Sequence, residues 1–282
     1  MVSTGSLSAP QLKSYQDNGY YAPIRVMSEG QATDLQRQYM EDVMPELEKI
    51  SHLPPKEHFW VYEQPHLRHR WVYELVTNSA VLDAVESVLG PDLILWSPRW
   101  FSKMPGGSDV VTWHQDDQYY GFDPSVGMTA WIALSESIPA NGCLRVIPGS
   151  HKGEIMPAVE TFGDSNSLAR GQEIVDVDET RAVDLSLRPG EISLHHMRII
   201  HGSAPNSSDI PRIGIAPRFV RPEVQQKGPN PPEGMLVRGK DQYGHFRLLD
   251  PPGEVSTEDD RERQRESIRR IRENTGHLQP AR

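Results

Sequence analysis

Hydrophobic residues along the chain change their period once, near residue 92. Upstream of that point they recur at helical spacing. Ser8, preceded by Leu7, can cap a helix that opens at Ala9-Pro10, and Asp17-Asn18-Gly19 ends it. Ser28 caps a second helix, whose Leu35, Tyr39, Val43 and Leu47 fall four apart on one face. Pro45 interrupts that pattern and breaks it early. Residues 7–50 are therefore expected to be helical. Residues 51–70 look loop-like, and residues 71–89 read as helices, with Asn78 or Ser79 as a cap and Gly90-Pro91 as the stop.

From Leu93 the texture is that of strands. LILWSPRWFSKM alternates bulky residues around a proline that marks a bulge or an edge. Gly106-Gly107 then turns the chain into the run Val110–Trp113. Strands are expected over Thr129–Leu134, Leu144–Ile147, Ala182–Leu187, Glu191–His196 and Ile213–Val220, with a long polar loop between His151 and Asp178. Short strands with no βαβ alternation predict a jelly-roll barrel, mainly β, with the N-terminal helices packed on it. The tail changes again. A proline-rich linker (Pro229–Pro232) leads to Ser256–Asn274, a charged helix whose only core-type residues are Ile268 and Ile271. It reads as a solvated terminal helix.

Composition narrows the function. The chain has 282 residues, enough for one large domain, divided into helical support (7–92), β core (93–222) and C-terminal extension (223–282). Its 39 acidic against 29 basic residues argue against a nucleic-acid or anionic-membrane surface. Cys143 is the single cysteine, so no disulfide framework exists, and it reads as a small buried hydrophobe. The start, MVSTGSLSAP, lacks the basic and apolar segments of a signal peptide, and no apolar run spans a membrane. These features predict a cytoplasmic protein, a monomer or homodimer, acting on a small molecule.

The chemistry concentrates in two places. On a strand ending VVTWHQD, His114 and Asp116 share a face, because side chains alternate. An imidazole and a carboxylate there supply two of the three ligands of a 2-His-1-carboxylate facial triad. Asp117 would point to the other face. Alone, H-x-D also fits a surface histidine beside a solvated acid. The second cluster lifts it: Gly190–Val220 holds His195, His196 and His201 as possible third ligands, and Arg212 follows His201 by eleven residues. A guanidinium near such a centre can grip the distal carboxylate of a metal-bound 2-oxo acid with two parallel hydrogen bonds. Arg218, on the same strand as Arg212, lies roughly 20 Å further along it, too far to serve the same carboxylate. His52, His58, His66 and His69 lack the spacing of a zinc motif.

H-x-D, then H-x-S-x-x-N-x-S from His201, then Arg212, resembles the phytanoyl-CoA dioxygenase family of Fe(II)/2-oxoglutarate oxygenases. Trp131–His151 (WIALSESIPANGCLRVIPGSH), FSKMPGG and LSAPQLKSYQDNGYYAP resemble the same family, so the likeness covers most of residues 7–250. It implies a double-stranded β-helix and the cofactors Fe(II), 2-oxoglutarate and O2. His114, Asp116 and His201 would hold iron. Arg212 would clamp 2-oxoglutarate, with a hydrogen bond from Ser203 and with Trp131 lining the pocket. The related halogenases carry a small residue where this chain has Asp116, so hydroxylation of an unactivated C–H bond, with succinate and CO2 as co-products, is the expected reaction. The same centre could also desaturate, epimerise, cyclise or form a peroxide, and a non-oxidative metal-dependent hydrolase or isomerase is the reading of another class. Arg99, Lys103, Gln115 and Tyr62 are the candidates for substrate contact.

Overall fold

The computed structural model describes residues 5–53, 57–161, 166–168 and 172–276. The first helix, Ala9–Asn18, begins with a capping box between Ser8 and Gln11 and stops at Gly19, whose φ of 82° suits glycine. The next hydrophobic stripe is cut at Val43 into Glu29–Asp42 and Met44–Lys49, and Pro45 falls in the first turn of the second piece. Between the first two helices, Tyr20–Arg25 forms a strand and not helix. Its aromatic and β-branched residues pair antiparallel with Glu191–His196 and extend the large sheet.

Two sheets build the β region. The larger has nine strands, and its path runs from Tyr20–Arg25 through Glu191–His196 and Gly127–Ala133 to Arg218–Val220, Leu93–Leu95 and Glu233–Arg238. Gly214–Ala216 bridges Gly127–Ala133 and Arg99–Trp100. The smaller sheet orders Val183–Leu185, Leu144–Val146, His201–Ser203 and Val111–His114. Along Gly127–Ala133 the side chains alternate. Met128, Ala130 and Ile132 join the core under the helices, while Trp131 and Ala133 pack on the other face. Tyr39, Val81, Val85, Leu93 and Phe219 complete that helix-facing core. Each such side chain contributes about 1.5–3 kcal/mol of burial.

The arrangement is typical of jelly-roll proteins, yet the expected barrel does not close. Neither sheet's path returns on itself. The strand Val111–His114 is the outer edge of its sheet. Among the described residues it is met on its far side by an isolated bridge from Val110 to Asn166 and by single hydrogen bonds, Ile174 N to Trp113 O and Thr112 Oγ1 to Gln172 O, each at 2.8 Å. Immediately after His114 the chain leaves the extended conformation for a helical turn, Asp117–Tyr120, so no ladder can continue there. A loop covers the edge in place of a strand, one of the usual ways to protect it.

The C-terminal helix, Glu258–Asn274, is not a solvated appendage. Thr257 caps it through Asp260, and three acidic residues occupy its first turn. One face is buried: Gln264, Ser267 and Ile268 are each at most 4% exposed. Gln264 Nε2 donates to Glu63 O at 2.8 Å, and Arg263 Nη2 donates to Leu67 O at 2.9 Å. Polar residues on that face hide it from a hydrophobic pattern. Ile268→Ala should cost about 2–4 kcal/mol, the range for emptying a buried isoleucine site, measured as a shift in denaturant midpoint. No helix among the described residues is long and apolar enough to cross a membrane.

Candidate metal centre

His114 and His201 are paired residues on neighbouring antiparallel strands, which brings their ring centroids to 4.1 Å. Each ring is fixed from behind. His114 Nδ1 bonds to Thr112 O at 2.8 Å and His201 Nδ1 to Ile199 O at 3.0 Å. A carbonyl can only accept, so both protons sit on Nδ1 and both Nε2 lone pairs are left for a metal. Burial, and then His114, push the pKa of His201 well below the ordinary histidine value. The neutral, ligating form is thus the resident one.

Asp116 arrives by a different route from the strand alternation expected for it. It has helical backbone angles (φ −56°, ψ −39°) at the start of the turn Asp117–Tyr120. That turn carries its carboxylate to 3.6 Å from His114 Nε2. Thr129 Oγ1 donates to its other oxygen at 3.3 Å. Burial alone would raise the Asp116 pKa, but His114, His201 and Arg218 together hold it well below the usual range. One ligand atom from each of His114, Asp116 and His201 lies within 4.8 Å of the others, and all three residues are buried. Two neutral imidazoles and one carboxylate on one side suit a first-row divalent ion and leave positions open opposite. Asp117 opens the helical turn, where Arg198 Nε faces its carboxylate at 3.9 Å.

Two cavities meet at this centre. The first is lined by the three ligands together with Trp131, Ser203 and Arg212, among others. Arg212 is 2% exposed and stacks over Trp131 at 5.4 Å. Its protein hydrogen bonds go to carbonyls: Nη1 donates to Gly142 O and Nη2 to Phe101 O. Among the described residues it forms no ion pair with a carboxylate. Burial brings its pKa down to about 10, so it stays charged at neutral pH and suits an anion from outside. His195 also lines this cavity, its ring 5.0 Å from that of His201, whereas His196 faces His151.

Glycine makes this packing possible at one point. A Cβ on Gly214 would lie 2.3 Å from Trp131 Cζ2 and 2.8 Å from Ile132 O. Gly214→Ala should therefore cost roughly 1–3 kcal/mol and displace Trp131 from beneath Arg212. A lower melting temperature with a raised 2-oxoglutarate requirement would show both effects.

The second cavity is lined by His114 and Asp116 with Glu63, Arg99, Arg218 and Arg272, among others. Of the four candidate substrate residues, Arg99 alone lines it. Lys103 Nζ donates to Ser203 O, Ser203 Oγ and Ala204 O, supporting the first cavity from outside. Burial, and then Arg212, draw the Lys103 pKa down to about 6. Gln115 is fully buried and ties loops together, donating to Arg198 O at 2.7 Å and accepting from Met156 N at 2.8 Å. Tyr62 lines a separate space with Asp109 and Lys103, away from the metal ligands. Arg218, which strand distance excluded as a second clamp, lines both cavities. Arg272 of the C-terminal helix gave no signal in the sequence beyond its charge.

A buried 2-His-1-carboxylate triad with open positions opposite is the ligand set of non-haem Fe(II) oxygenases. The sequence profile of the phytanoyl-CoA dioxygenase (PhyH) family matches residues 15–214, and the chain belongs to this family. It is 32% identical over 184 residues to a probable alpha-ketoglutarate-dependent hypophosphite dioxygenase of Stutzerimonas stutzeri, covering 63% of this chain and 64% of that protein. The chain thus spans less than two thirds of that relative. It is 25% identical to the peroxisomal phytanoyl-CoA dioxygenase of Homo sapiens, over 76% of this chain and 68% of that protein. Among solved structures, the non-haem monooxygenase ThoJ superposes with a TM-score of 0.79 at 29% identity, covering 94% of this chain and 97% of that one. Structures sharing the fold at 18% and 22% identity include an epimerase and a carbocyclase. Two of the structures that share the fold, at 21% and 22% identity, hold Fe(II) with alpha-ketoglutarate and 2-oxoglutarate respectively. The expectation of a cytoplasmic protein is overturned, since the bovine, human, rat and mouse relatives are peroxisomal. Charge and cysteine content cannot read out such a location, which short receptor-read addresses carry.

Proposed function

We propose that the protein hydroxylates an unactivated C–H bond of a small organic molecule. One O2 and one 2-oxoglutarate would be consumed per turnover, giving succinate, CO2 and the alcohol: one oxygen atom enters succinate and the other the product. The observation that carries this reading is the placement of the triad where two cavities meet, one ending at the buried Arg212 and the other open for a substrate. Iron, when bound by His114, Asp116 and His201, supplies the activation of O2.

The chain's own residues set the geometry. Arg212 grips the distal carboxylate of 2-oxoglutarate as a fork, with Trp131 stacked against the guanidinium to hold its plane. The Ser203 hydroxyl, already bonded to Lys103 Nζ at 2.7 Å, adds a hydrogen bond at that end of the cavity. Thr129 occupies one oxygen of Asp116 and leaves the other for the metal. Asp116 itself fills the position that the related halogenases leave to chloride, which favours transfer of oxygen. Buried walls keep bulk water from the centre.

The test is turnover under 18O2 with candidate substrates. Hydroxylation gives succinate and alcohol in equal amounts, each carrying one labelled oxygen. An unlabelled product that has lost two hydrogens, or an isomer of the substrate, would replace hydroxylation with desaturation or epimerisation.

A further inference from the structure

Three guanidiniums gather on the open side of the metal centre. Arg99 and Arg272 are held from different parts of the chain, with side chains only 10% and 12% exposed. Arg218 stands between them and the metal ligands and donates to Ser97 O at 3.0 Å. Among the described residues that line the cavity, one carboxylate that the metal does not claim stands against these three cations, Glu63. A single oxygen of Glu63 serves two of them, at 3.1 Å from Arg99 Nη1 and 3.9 Å from Arg272 Nη1. Asp116 belongs to the metal, and Arg212 is taken by 2-oxoglutarate, so neither relieves the excess.

The hydrogen bonds are as incomplete as the charges. Among the described residues, Nε of Arg99, Nε and Nη1 of Arg272 and Nε of Arg218 are buried without a hydrogen-bond partner. Buried donors are normally paired, and unpaired charged ones are costly. Burial, reinforced by Arg218 and Arg272, pulls Arg99 below the ordinary guanidinium pKa against the opposing effect of Glu63. Arg272 is anchored in place, its guanidinium 3.8 Å from the Phe59 ring centroid. The remaining walls of the cavity combine aromatic and aliphatic residues, among them Trp96, Tyr120, Leu168 and Ile271, with Ser97 and Thr275. Such a cavity suits a molecule with an apolar body and an anionic end.

We propose that Arg99 and Arg272 form the docking site for an anionic group, a carboxylate or similar oxyanion, on the substrate whose C–H bond is oxidised. The C-terminal helix is then a wall of the substrate cavity and carries half of this site. The inference rests on the oxygenase reading above. Arg272 lies beyond residue 214, where the family match ends, whereas Arg99 lies within it. With its anion between Arg99 and Arg272, the substrate's body lies along the aromatic wall and its far end reaches His114 and Asp116.

The experiment uses enzyme loaded anaerobically with Fe(II) and 2-oxoglutarate. Aliphatic and aromatic monocarboxylates, each paired with its neutral carboxamide, are titrated by calorimetry. Binding should be confined to the acids, and Arg272→Gln should weaken it roughly tenfold or more, the effect of losing a charge-assisted bond. Arg272→Lys, which keeps the charge but not the fork, should recover part of the loss. The visible absorption of the 2-oxoglutarate chelate should stay unchanged in both variants. Amides binding as well as acids, no acid binding at millimolar concentration, or acid binding unaffected in a folded Arg272→Gln would overturn the proposal. The acid–amide comparison in wild type holds even if the variants do not fold. Absence of the chelate absorption in wild type would overturn the oxygenase reading separately.

Discussion

His201→Ala is expected to abolish turnover and to lower Fe(II) affinity by more than about a hundredfold. Removing a partner of a metal-binding histidine already costs about 10–100-fold, and here the ligand itself is lost. The site has little means of compensating. His201 is fixed opposite His114 by strand register, its ring held by Ile199 O at 3.0 Å, and water admitted in its place would be one more exchangeable ligand. His195 lies close, yet it is not part of the ligand cluster and comes from the opposite sheet. His195→Ala should therefore retain iron. Metal content after gel filtration distinguishes the two variants.

Arg212→Ala should raise the 2-oxoglutarate requirement by roughly thirtyfold to several-thousandfold, equivalent to about 2–5 kcal/mol for stripping one partner from a buried ion pair. The magnitude follows from burial. Arg212 is fully enclosed and bonded to the carbonyls of Gly142 and Phe101, so a carboxylate brought beside it meets a charge with little screening by water. Arg212→Lys should recover only part of the loss, because an ammonium cannot present two parallel donors. A 2-oxoglutarate titration measures both variants, and a melting curve separates loss of binding from loss of fold.

His114 and Asp116 were legible in the sequence because their chemistry demands particular residue types at short spacing, whereas His201 was chosen among three histidines by the family resemblance. Their geometry was only half legible. Strand alternation places His114, but the helical turn at Asp117–Tyr120 places Asp116, and no hydrophobic pattern announces a four-residue helix. The strands of the core followed from alternation, whereas Tyr20–Arg25 was hidden between two capped helices and declared itself only by pairing with Glu191–His196. Closure was beyond reach, since whether an edge pairs or is covered depends on contacts far apart in the chain. The same holds for the C-terminal helix. Gln264 and Ser267 occupy its buried face, and a polar residue hydrogen-bonded in the interior looks like a solvated one until its partner is known. Arg218 lines both cavities, a nearness to the centre that its distance from Arg212 along the chain does not disclose.

The most direct test of the account is anaerobic titration of the Fe(II)-loaded protein with 2-oxoglutarate, followed by visible absorption. A metal-to-ligand charge-transfer band is expected in wild type, lost in His201→Ala and requiring far more 2-oxoglutarate in Arg212→Ala. Full iron loading with no band at saturating 2-oxoglutarate would contradict it and leave a metal site of non-oxidative chemistry.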